Sequence, residues 1–239
     1  MSNNSNIEWT EATWNPMTGC TKISAGCQNC YAEKLAIRLH AMGVKNYANK
    51  FKLTLHEKAL DIPKKWKKPR FIFVNSMSDL FHEDIPFDFI EKVFNVMNEC
   101  SQHTFQILTK RSNNMLRLSN KLKLTDNIWL GVTVENNSSI YRIKDLLQTK
   151  AKIKFVSFEP LLTPLPELNT CGIDWAIVGG ESGVNARPMQ KEWVLDIKSK
   201  CLKSNTAFFF KQWGGTNKKK NGRILEGKIW NAMPEYAMI

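Results

Sequence analysis

Three cysteines near the start of the chain, Cys20, Cys27 and Cys30, have the residue type and spacing of a metal or cluster site. They are half of the six cysteines in the sequence, and no fourth cysteine lies close by. The last two are spaced C-x-x-C, so one turn of backbone delivers two thiolates to a single centre. Three ligands leave one coordination position open. Catalytic metal sites and four-iron clusters with a non-protein ligand share this feature, whereas structural zinc sites usually have four protein ligands.

The charge of the chain favours polyanionic partners. The formal net charge is +12 over 239 residues, and the isoelectric point is near 9.4. Such a charge attracts phosphates over a long range without reading a sequence, so a nucleic acid or nucleotide substrate is expected. A basic surface that only maintains solubility explains the same charge.

The sequence predicts a cytoplasmic protein with no membrane partner. Residues 1–6 contain no basic region or apolar run, so no secretory signal is expected there. No apolar stretch reaches the roughly 20 residues that a membrane span needs. Thiols stay reduced in the cytoplasm, where a cysteine cluster is more often a metal site than a set of disulfides.

The elements on either side of the cysteines must present them. Residues 7–16 are predicted to be extended and to end at Asn15-Pro16. A helix is expected directly after Cys30, with Tyr31, Leu35, Leu39 and Met42 on one apolar face and Gly43 at its end. The cysteine loop then lies between a strand end and a helix start, where free backbone N–H groups stabilise thiolates.

The rest of the chain alternates between β-rich apolar runs and helical patterns. With the segment before Cys20, the runs give about seven parallel strands, covered on both faces. The predicted fold is a partial or complete (β/α) barrel spanning 1–239 as a single domain, with a basic C-terminal extension from about 214. A doubly wound open sheet is the alternative. The six runs are residues 71–75, 104–109, 128–134, 153–158, 175–178 and 207–210.

Polar residues follow each apolar run, as expected at the rim where (β/α) barrels build active sites. Several of these segments resemble a phage-associated family of three-cysteine-motif proteins, which is similar in turn to radical SAM enzymes. The interval between Cys20 and Cys27 is longer than in the usual radical SAM pattern. The resembling stretches are Thr13-Trp-Asn-Pro-Met-Thr-Gly-Cys20, Gly26-Cys-Gln-Asn-Cys-Tyr-Ala32, Leu108-Thr-Lys-Arg111, Gly131-Val-Thr-Val-Glu135, Ser157-Phe-Glu-Pro160, Val178-Gly-Gly-Glu-Ser-Gly183 and Phe210-Lys-Gln-Trp-Gly214.

The resemblance implies that Cys20, Cys27 and Cys30 hold a [4Fe-4S] cluster and that S-adenosylmethionine binds its open iron. An electron donor, with or without a partner protein, is implied for cleavage of that cofactor to a 5′-deoxyadenosyl radical. Lys110, Arg187 and Lys211 are then candidates to hold an anionic substrate. The candidate cofactor-binding residues are Tyr31 as a ring, Asp79 or Glu181 with Gly179 and Gly180 for the amino group, and Glu135 with Asn136 for the ribose.

Other interpretations remain open at this point. Each strand-end acid precedes a predicted helix, so a helix N-cap competes with a ligand role. The protein could instead be a non-enzymatic zinc or iron–sulfur module that binds nucleic acid, its site closed by His82 or His40. It could also be a (β/α)-barrel hydrolase or lyase whose cysteines stabilise a loop. In the basic run 63–70, Trp66 either stacks on a base or packs into the core.

Overall fold

The computed structural model describes Ser5 and residues 7–235, and most of the segment 1–6, for which the sequence predicts no secretory signal, lies outside the described residues. Apolar runs form the strands, and the helices lie mainly between them. The strands are β1 Ala12–Trp14, β2 Met17–Thr18, β3 Thr54–Leu55, β4 Phe71–Val74, β5 Thr104–Thr109, β6 Ile128–Thr133, β7 Lys154–Phe158, β8 Trp175–Gly179, β9 Ala207–Gln212, β10 Ile224–Leu225 and β11 Lys228–Ile229. The helices are α1 Tyr31–Ala41, α2 Phe87–Glu99, α3 Ser112–Ser119, α4 Tyr141–Leu147, α5 Lys191–Lys203 and α6 Lys218–Asn221.

One seven-stranded sheet organises the molecule. Its strand order is β1-β4-β5-β6-β7-β8-β9, and every neighbouring pair is parallel. The strands follow one another in chain order without the reversal that defines a doubly wound sheet. The prediction of a partial (β/α) barrel is therefore confirmed, and all six predicted strands after residue 70 are present.

Aromatic side chains cover one face of the curled sheet, below the carboxyl ends of its strands. Phe73, Phe155, Trp175 and Phe209 come from four strands and pack with Trp9, which precedes β1. The opposite face of the sheet packs against the helices in a larger core of aliphatic and aromatic side chains. Because successive side chains of a strand alternate between the two faces, the polar residues that follow the aromatic layer lie above it, at the carboxyl ends of the strands.

The predicted helix after Cys30 is present as α1, but the prediction of its buried face was wrong. Tyr31 is 55% exposed and Met42 is 65% exposed, whereas Ala32 and Ala36 are buried. The small alanines allow α1 to approach Met77 closely, and the three residues form a small core of their own. Helix length and its end near Gly43 could be predicted; the choice of face depended on packing with a distant loop.

The basic run 63–70 does not present an exposed aromatic ring. Trp66 is buried in the main core, with the Arg70 guanidinium 5.4 Å from its ring. Lys64 pairs with Asp61 at 3.1 Å and with Glu99 at 2.7 Å. Of the two interpretations of Trp66, core packing is correct, and this ring is not available to stack on a base.

The residues after 214, predicted as a basic extension, fold back onto the sheet. The Phe210 N–H donates to the Trp230 carbonyl at 2.9 Å, and the Trp230 ring packs edge-on against Phe208. Lys218 reaches Glu8 across 3.7 Å. The C-terminal segment thus meets the segment before β1 beside the open side of the sheet. No helix in the described part of the chain is long and apolar enough to cross a membrane.

Candidate functional site

A cavity of about 440 Å³ opens at the carboxyl ends of the strands. The three cysteines of the loop all line it, although they are spread over eleven residues that include a 3-10 turn. Polar residues from the ends of β4 to β9 complete its wall, as the motif positions predicted. Among these are Asn75, Lys110, Thr133, Ser157, Glu159 and Lys211.

The cysteine loop begins in an extended segment and ends at a helix. Cys20 follows β2 and Gly19, whose φ of +86° and close approach to the Lys52 carbonyl require glycine. Cys27 ends the 3-10 turn Ala25–Cys27, and Cys30 is the N-cap of α1. All three thiols are free and partly exposed.

Arg111, directly after β5, ties the loop at Cys20. Its Nη1 donates to the Cys20 sulfur at 3.4 Å, and its Nη2 donates to the Thr21 hydroxyl at 2.8 Å. The same guanidinium pairs with Asp79 at 3.3 Å and with Glu83 at 2.7 Å. Arg111 is itself buried, and these charge-assisted bonds fix the start of the loop.

Glu135, after β6, ties the loop beside Cys27. Its Oε1 accepts from the Gly26 N–H at 3.3 Å and contacts the Ser24 hydroxyl, while its Oε2 accepts from Arg142 Nη1 at 2.7 Å. A Cβ on Gly26 would lie 2.9 Å from Oε1, so glycine permits this approach. Burial alone would raise the pKa of Glu135, but Arg142 and then the Ser24 hydroxyl outweigh it and hold the pKa below its ordinary value.

Glu181, after β8, ties the loop beside Cys30. Arg187 donates to its carboxylate from Nη2 at 2.5 Å and from Nε at 2.9 Å, and Asn29 Nδ2 donates to it at 2.9 Å. Arg187 Nη2 also donates to the Ala25 carbonyl at 3.0 Å. Burial alone would raise the pKa of Glu181, but the hydrogen bonds from Arg187 dominate and lower it to about 2.

The acids predicted to bind the cofactor contact the cysteine loop or its anchoring residues, and Asp79 and Glu181 also line the cavity. Asp79 accepts from Thr109 Oγ1 at 2.6 Å and from the Lys110 N–H at 3.0 Å, in addition to its pair with Arg111. Asn136 caps the 3-10 turn Asn137–Ser139 through a capping box. Glu135 and Asn136 are not among the described residues that line the cavity, so the predicted ribose role is not carried forward.

Gly179, the last residue of β8, and Gly180, which follows it, allow close packing around the strand end. A Cβ on Gly180 would lie 2.1 Å from the Trp213 carbonyl oxygen, although Gly180 itself lines the cavity. A Cβ on Gly179 would lie 3.3 Å from the Glu159 carboxyl carbon. The absent side chains leave room for the residue after β9 and for the Glu159 side chain.

The candidate substrate cations differ in whether they are already paired. Lys211 binds the Glu159 carboxylate at 2.8 and 3.0 Å, and Arg187 is held by Glu181. The Lys110 ammonium lines the cavity and forms no hydrogen bond or ion pair within Ser5 and residues 7–235. Tyr31 also lines the cavity, and its hydroxyl donates to the Ser76 carbonyl at 2.5 Å. Lys110 is therefore the cation best placed to meet a ligand.

The thiols of Cys20 and Cys27 differ in acidity. Burial, reinforced by the Asp79 carboxylate, raises the pKa of Cys20 to about 11 in spite of Arg111. Burial also opposes ionisation of Cys27, but the Lys110 charge and hydrogen bonds from Ile23 and Ser24 outweigh it and lower the pKa. Cys27 is thus the better prepared of the two to ligate as a thiolate.

Sequence reasoning missed the buried polar groups deeper in the cavity. Asn75, Gln212 and Trp9 all line it and are buried. Both polar atoms of the Asn75 amide, Gln212 Oε1 and Trp9 Nε1 lack a hydrogen-bond partner among the described residues. Asn75 and Gln212 stand at strand ends that the sequence singled out, but only the fold shows that these groups are left unpaired.

The three cysteines do not form a single-ion site in the described part of the chain. Among the described residues, no group of three or more histidine, cysteine, aspartate or glutamate side chains could hold a metal ion. In a cluster each thiolate binds a different iron, so the sulfurs need not converge on one point. His82 and His40 are engaged elsewhere: His82 Nε2 lies 2.9 Å from Thr21 Oγ1, and His40 Nδ1 lies 3.0 Å from the Tyr47 carbonyl.

Comparison with known proteins gives a family but no activity. A family model described as "Protein of unknown function (DUF5131)" matches residues 4–234. No curated protein and no solved structure matches the chain.

Proposed function

Because the chain belongs to the DUF5131 family, whose description names no activity, we propose its function from the site. The protein is an enzyme that holds a [4Fe-4S] cluster through Cys20, Cys27 and Cys30 and cleaves S-adenosylmethionine reductively to start radical chemistry on a nucleotide or nucleic acid. One observation carries the proposal: three free cysteines of one loop line a single cavity at the carboxyl ends of a (β/α) sheet. That rim is where (β/α) folds place their chemistry.

A cluster held by Cys20, Cys27 and Cys30 would pass an electron from an external donor to the cofactor, and the chain supplies the position and the shelter. Arg111, Glu135 and Glu181 come from the ends of three different strands and each fixes the loop near a different cysteine. Lys110 places a positive charge near the Cys27 sulfur and so favours its thiolate. The loop is therefore held ready before any ligand binds.

The packed aromatic cluster at the base of the cavity leaves no path for water to reach the site from that side. Trp9, Phe73, Phe155 and Trp175 pack against one another with almost no exposure. A reactive intermediate formed at the rim can then reach only the cavity and its mouth. This shelter suits chemistry that water or stray hydrogen donors would quench.

The alternative, a non-enzymatic nucleic-acid-binding module closed by a histidine, has less support. The His82 and His40 imidazoles already bind Thr21 and Tyr47. Trp66, the ring in the basic run, is buried. These two histidines and Trp66, the residues that this alternative named, therefore do not supply a free fourth ligand or an exposed stacking ring.

The test is anaerobic purification followed by iron and sulfide quantitation, visible absorption and an assay for reductive cleavage of S-adenosylmethionine. Cys20→Ala, Cys27→Ala and Cys30→Ala should each lose the iron-dependent absorption. Cys100→Ala and Cys201→Ala, which alter buried packing thiols, are the controls and should keep it. Iron retained in all three loop variants, or zinc bound in place of iron, would contradict the proposal.

A further inference from the structure

One wall of the cavity carries buried polar groups that no described residue satisfies. Asn75 is 2% exposed and Trp9 is 4% exposed. The Asn75 amide nitrogen and oxygen and the Trp9 indole nitrogen have no hydrogen-bond partner in the described part of the chain. Buried polar groups in native proteins are nearly always paired, with protein, water or ligand. Both residues line the cavity, which makes a ligand the natural partner.

These groups belong to one continuous surface, the β4–β5 wall, formed by Trp9, Phe73, Asn75, Leu108 and Lys110. The Trp9 and Phe73 rings lie 4.7 Å apart at its base. Asn75 follows β4, and Leu108 and Lys110 come from the end of the neighbouring strand β5. The wall therefore presents aromatic surface, then a carboxamide and an aliphatic side chain, then an ammonium group.

The backbone at Asn75 holds the carboxamide in place without using it. Asn75 has a φ of +61°, a left-handed conformation that asparagine tolerates better than most residues. Its backbone N–H donates to the Trp14 carbonyl at 2.8 Å, and its carbonyl accepts from Ser78 at 3.2 Å. The main chain is thus fully engaged, and only the side chain remains for a ligand.

The three kinds of group on the wall match the three parts of a nucleotide. Aromatic side chains pack on a planar base, and a carboxamide pairs with a base edge that offers a neighbouring donor and acceptor. An ammonium group pairs with phosphate. The cavity of about 440 Å³ is of small-molecule size, so it admits a single nucleotide but not a duplex.

We propose that the β4–β5 wall is the substrate subsite and that it binds one nucleotide, free or unstacked from a strand. Asn75 reads the edge of the base, the Trp9 indole N–H donates to it, and Lys110 pairs with the phosphate. This inference rests on the proposed function, because it names the substrate of the same cavity. It also assigns a residue, Asn75, whose role can be measured without any turnover.

The test measures binding of nucleoside monophosphates and nucleosides to the anaerobically purified full chain by equilibrium dialysis. Asn75→Gly is the central variant, because glycine keeps the left-handed backbone while removing the carboxamide. Asn205→Gly is its matched control: Asn205 has a φ of +56° and is exposed after α5, away from the cavity. We expect Asn75→Gly to weaken binding about tenfold or more, as loss of a two-point base contact does, and Asn205→Gly to leave it unchanged.

Further variants and probes test the contact with the phosphate and the source of the nucleotide separately. Lys110→Gln should weaken binding of the monophosphate but not of the nucleoside. Exchange of Lys65, Lys67 and Lys68 for serine should change neither, because that exposed run does not line the cavity. A single-stranded oligonucleotide that competes with the monophosphate in wild type and not in Asn75→Gly would identify a strand as the source of the nucleotide; absence of competition would identify the free form.

The outcome for this subsite is distinct from the outcome for the cluster. Cys30→Ala should lose iron and still bind the nucleotide, and Asn75→Gly should keep its iron while it binds the nucleotide more weakly. Three results would overturn the inference: no probe binds wild type, Asn75→Gly binds as wild type does, or S-adenosylmethionine displaces the nucleotide. The cluster proposal would survive all three.

Discussion

The Gly26 N–H donates to Glu135 Oε1 across 3.3 Å, although the two residues are 109 positions apart in the chain. This bond joins Gly26, the residue before Cys27 in the cysteine loop, to Glu135, just after the end of β6. Arg111 and Glu181 make equivalent long-range contacts beside Cys20 and Asn29. The loop is thus fastened to three strand ends, so its shape depends on the whole sheet rather than on its own sequence.

Replacing the buried acid should strongly destabilise the fold. Glu135 is 0% exposed and its partner Arg142 is 3% exposed. In Glu135→Gln the amide still accepts from Gly26, but the Arg142 charge is left buried without its counter-ion. Breaking a buried pair from one side costs about 3–5 kcal/mol, to be measured as the free energy of unfolding in urea. Glu57→Gln, which breaks the exposed pair with Lys92, is the control and should cost less than about 1 kcal/mol.

Glu181 should make the protein sensitive to acid. Its pKa falls from an ordinary 4.5 to about 2, with Arg187 as the main cause that outweighs burial. A carboxyl with a depressed pKa in the folded state contributes stability that is complete above about pH 4.5 and is lost as the pH falls towards 2. The loss is at most about 3 kcal/mol.

The measurement is the free energy of unfolding between pH 6 and about pH 2.5 for wild type and for Glu181→Gln. The difference between the two curves should shrink as the pH falls. Protonation removes the Glu181 charge from wild type at low pH, whereas the substitution removes that charge at every pH. Glu167→Gln, at an exposed position, should follow wild type. Parallel curves for wild type and Glu181→Gln would show that the ion pair with Arg187 does not lower the pKa of the Glu181 carboxyl.

Substitution by alanine should destabilise the protein more at Gly180 than at the neighbouring Gly179. A Cβ at position 180 would meet the Trp213 backbone carbonyl at 2.1 Å, so β8 and β9 would have to separate. At position 179 the nearest atom is 3.3 Å away and belongs to the Glu159 side chain, which can move. We expect Gly180→Ala to cost about 1–3 kcal/mol and Gly179→Ala clearly less. Thermal and urea denaturation of both variants test this, and equal costs would contradict it.

The sheet could be predicted because its strands are short, apolar and buried on both faces. The run 104–109 was predicted with the bounds that the structure gives to β5. Such runs need no knowledge of partners, since burial on both faces appears as unbroken hydrophobicity. The face of α1 could not be predicted in this way, because Ala32 and Ala36 are buried only where Met77 meets them.

The meeting of polar strand ends at one rim could be predicted from the sequence, but the contacts of each side chain could not. The sequence placed acids at the strand ends, and the structure confirms the rim that they form. Whether a carboxylate faces the cavity or the loop depends on contacts such as Asn29 with Glu181, which are 152 positions apart. The unpaired amide of Asn75 is likewise a property of the fold, since nothing in the run Asn75-Ser-Met-Ser-Asp79 distinguishes a satisfied side chain from an orphaned one.

The last prediction concerns the chemical reactivity of the loop thiols in the metal-free, reduced protein. The pKa of Cys20 is raised to about 11 by burial and by Asp79, whereas the pKa of Cys27 lies below its ordinary value of 9.0 because Lys110 and local hydrogen bonds outweigh burial. Only the thiolate reacts with iodoacetamide. At about pH 8 we therefore expect Cys27 to be alkylated at least about tenfold faster than Cys20, after allowing for the lower nucleophilicity of a more acidic thiol.

Mass spectrometry of peptides from timed reactions would give the two rates. Lys110→Gln should slow alkylation of Cys27, because it removes the charge that favours the thiolate, and should change Cys20 much less. Lys150→Gln, at an exposed position after α4, is the matched control and should alter neither rate. If Cys20 reacts as fast as Cys27 in wild type, or if Lys110→Gln leaves the Cys27 rate unchanged, then Lys110 does not set the acidity of this thiol.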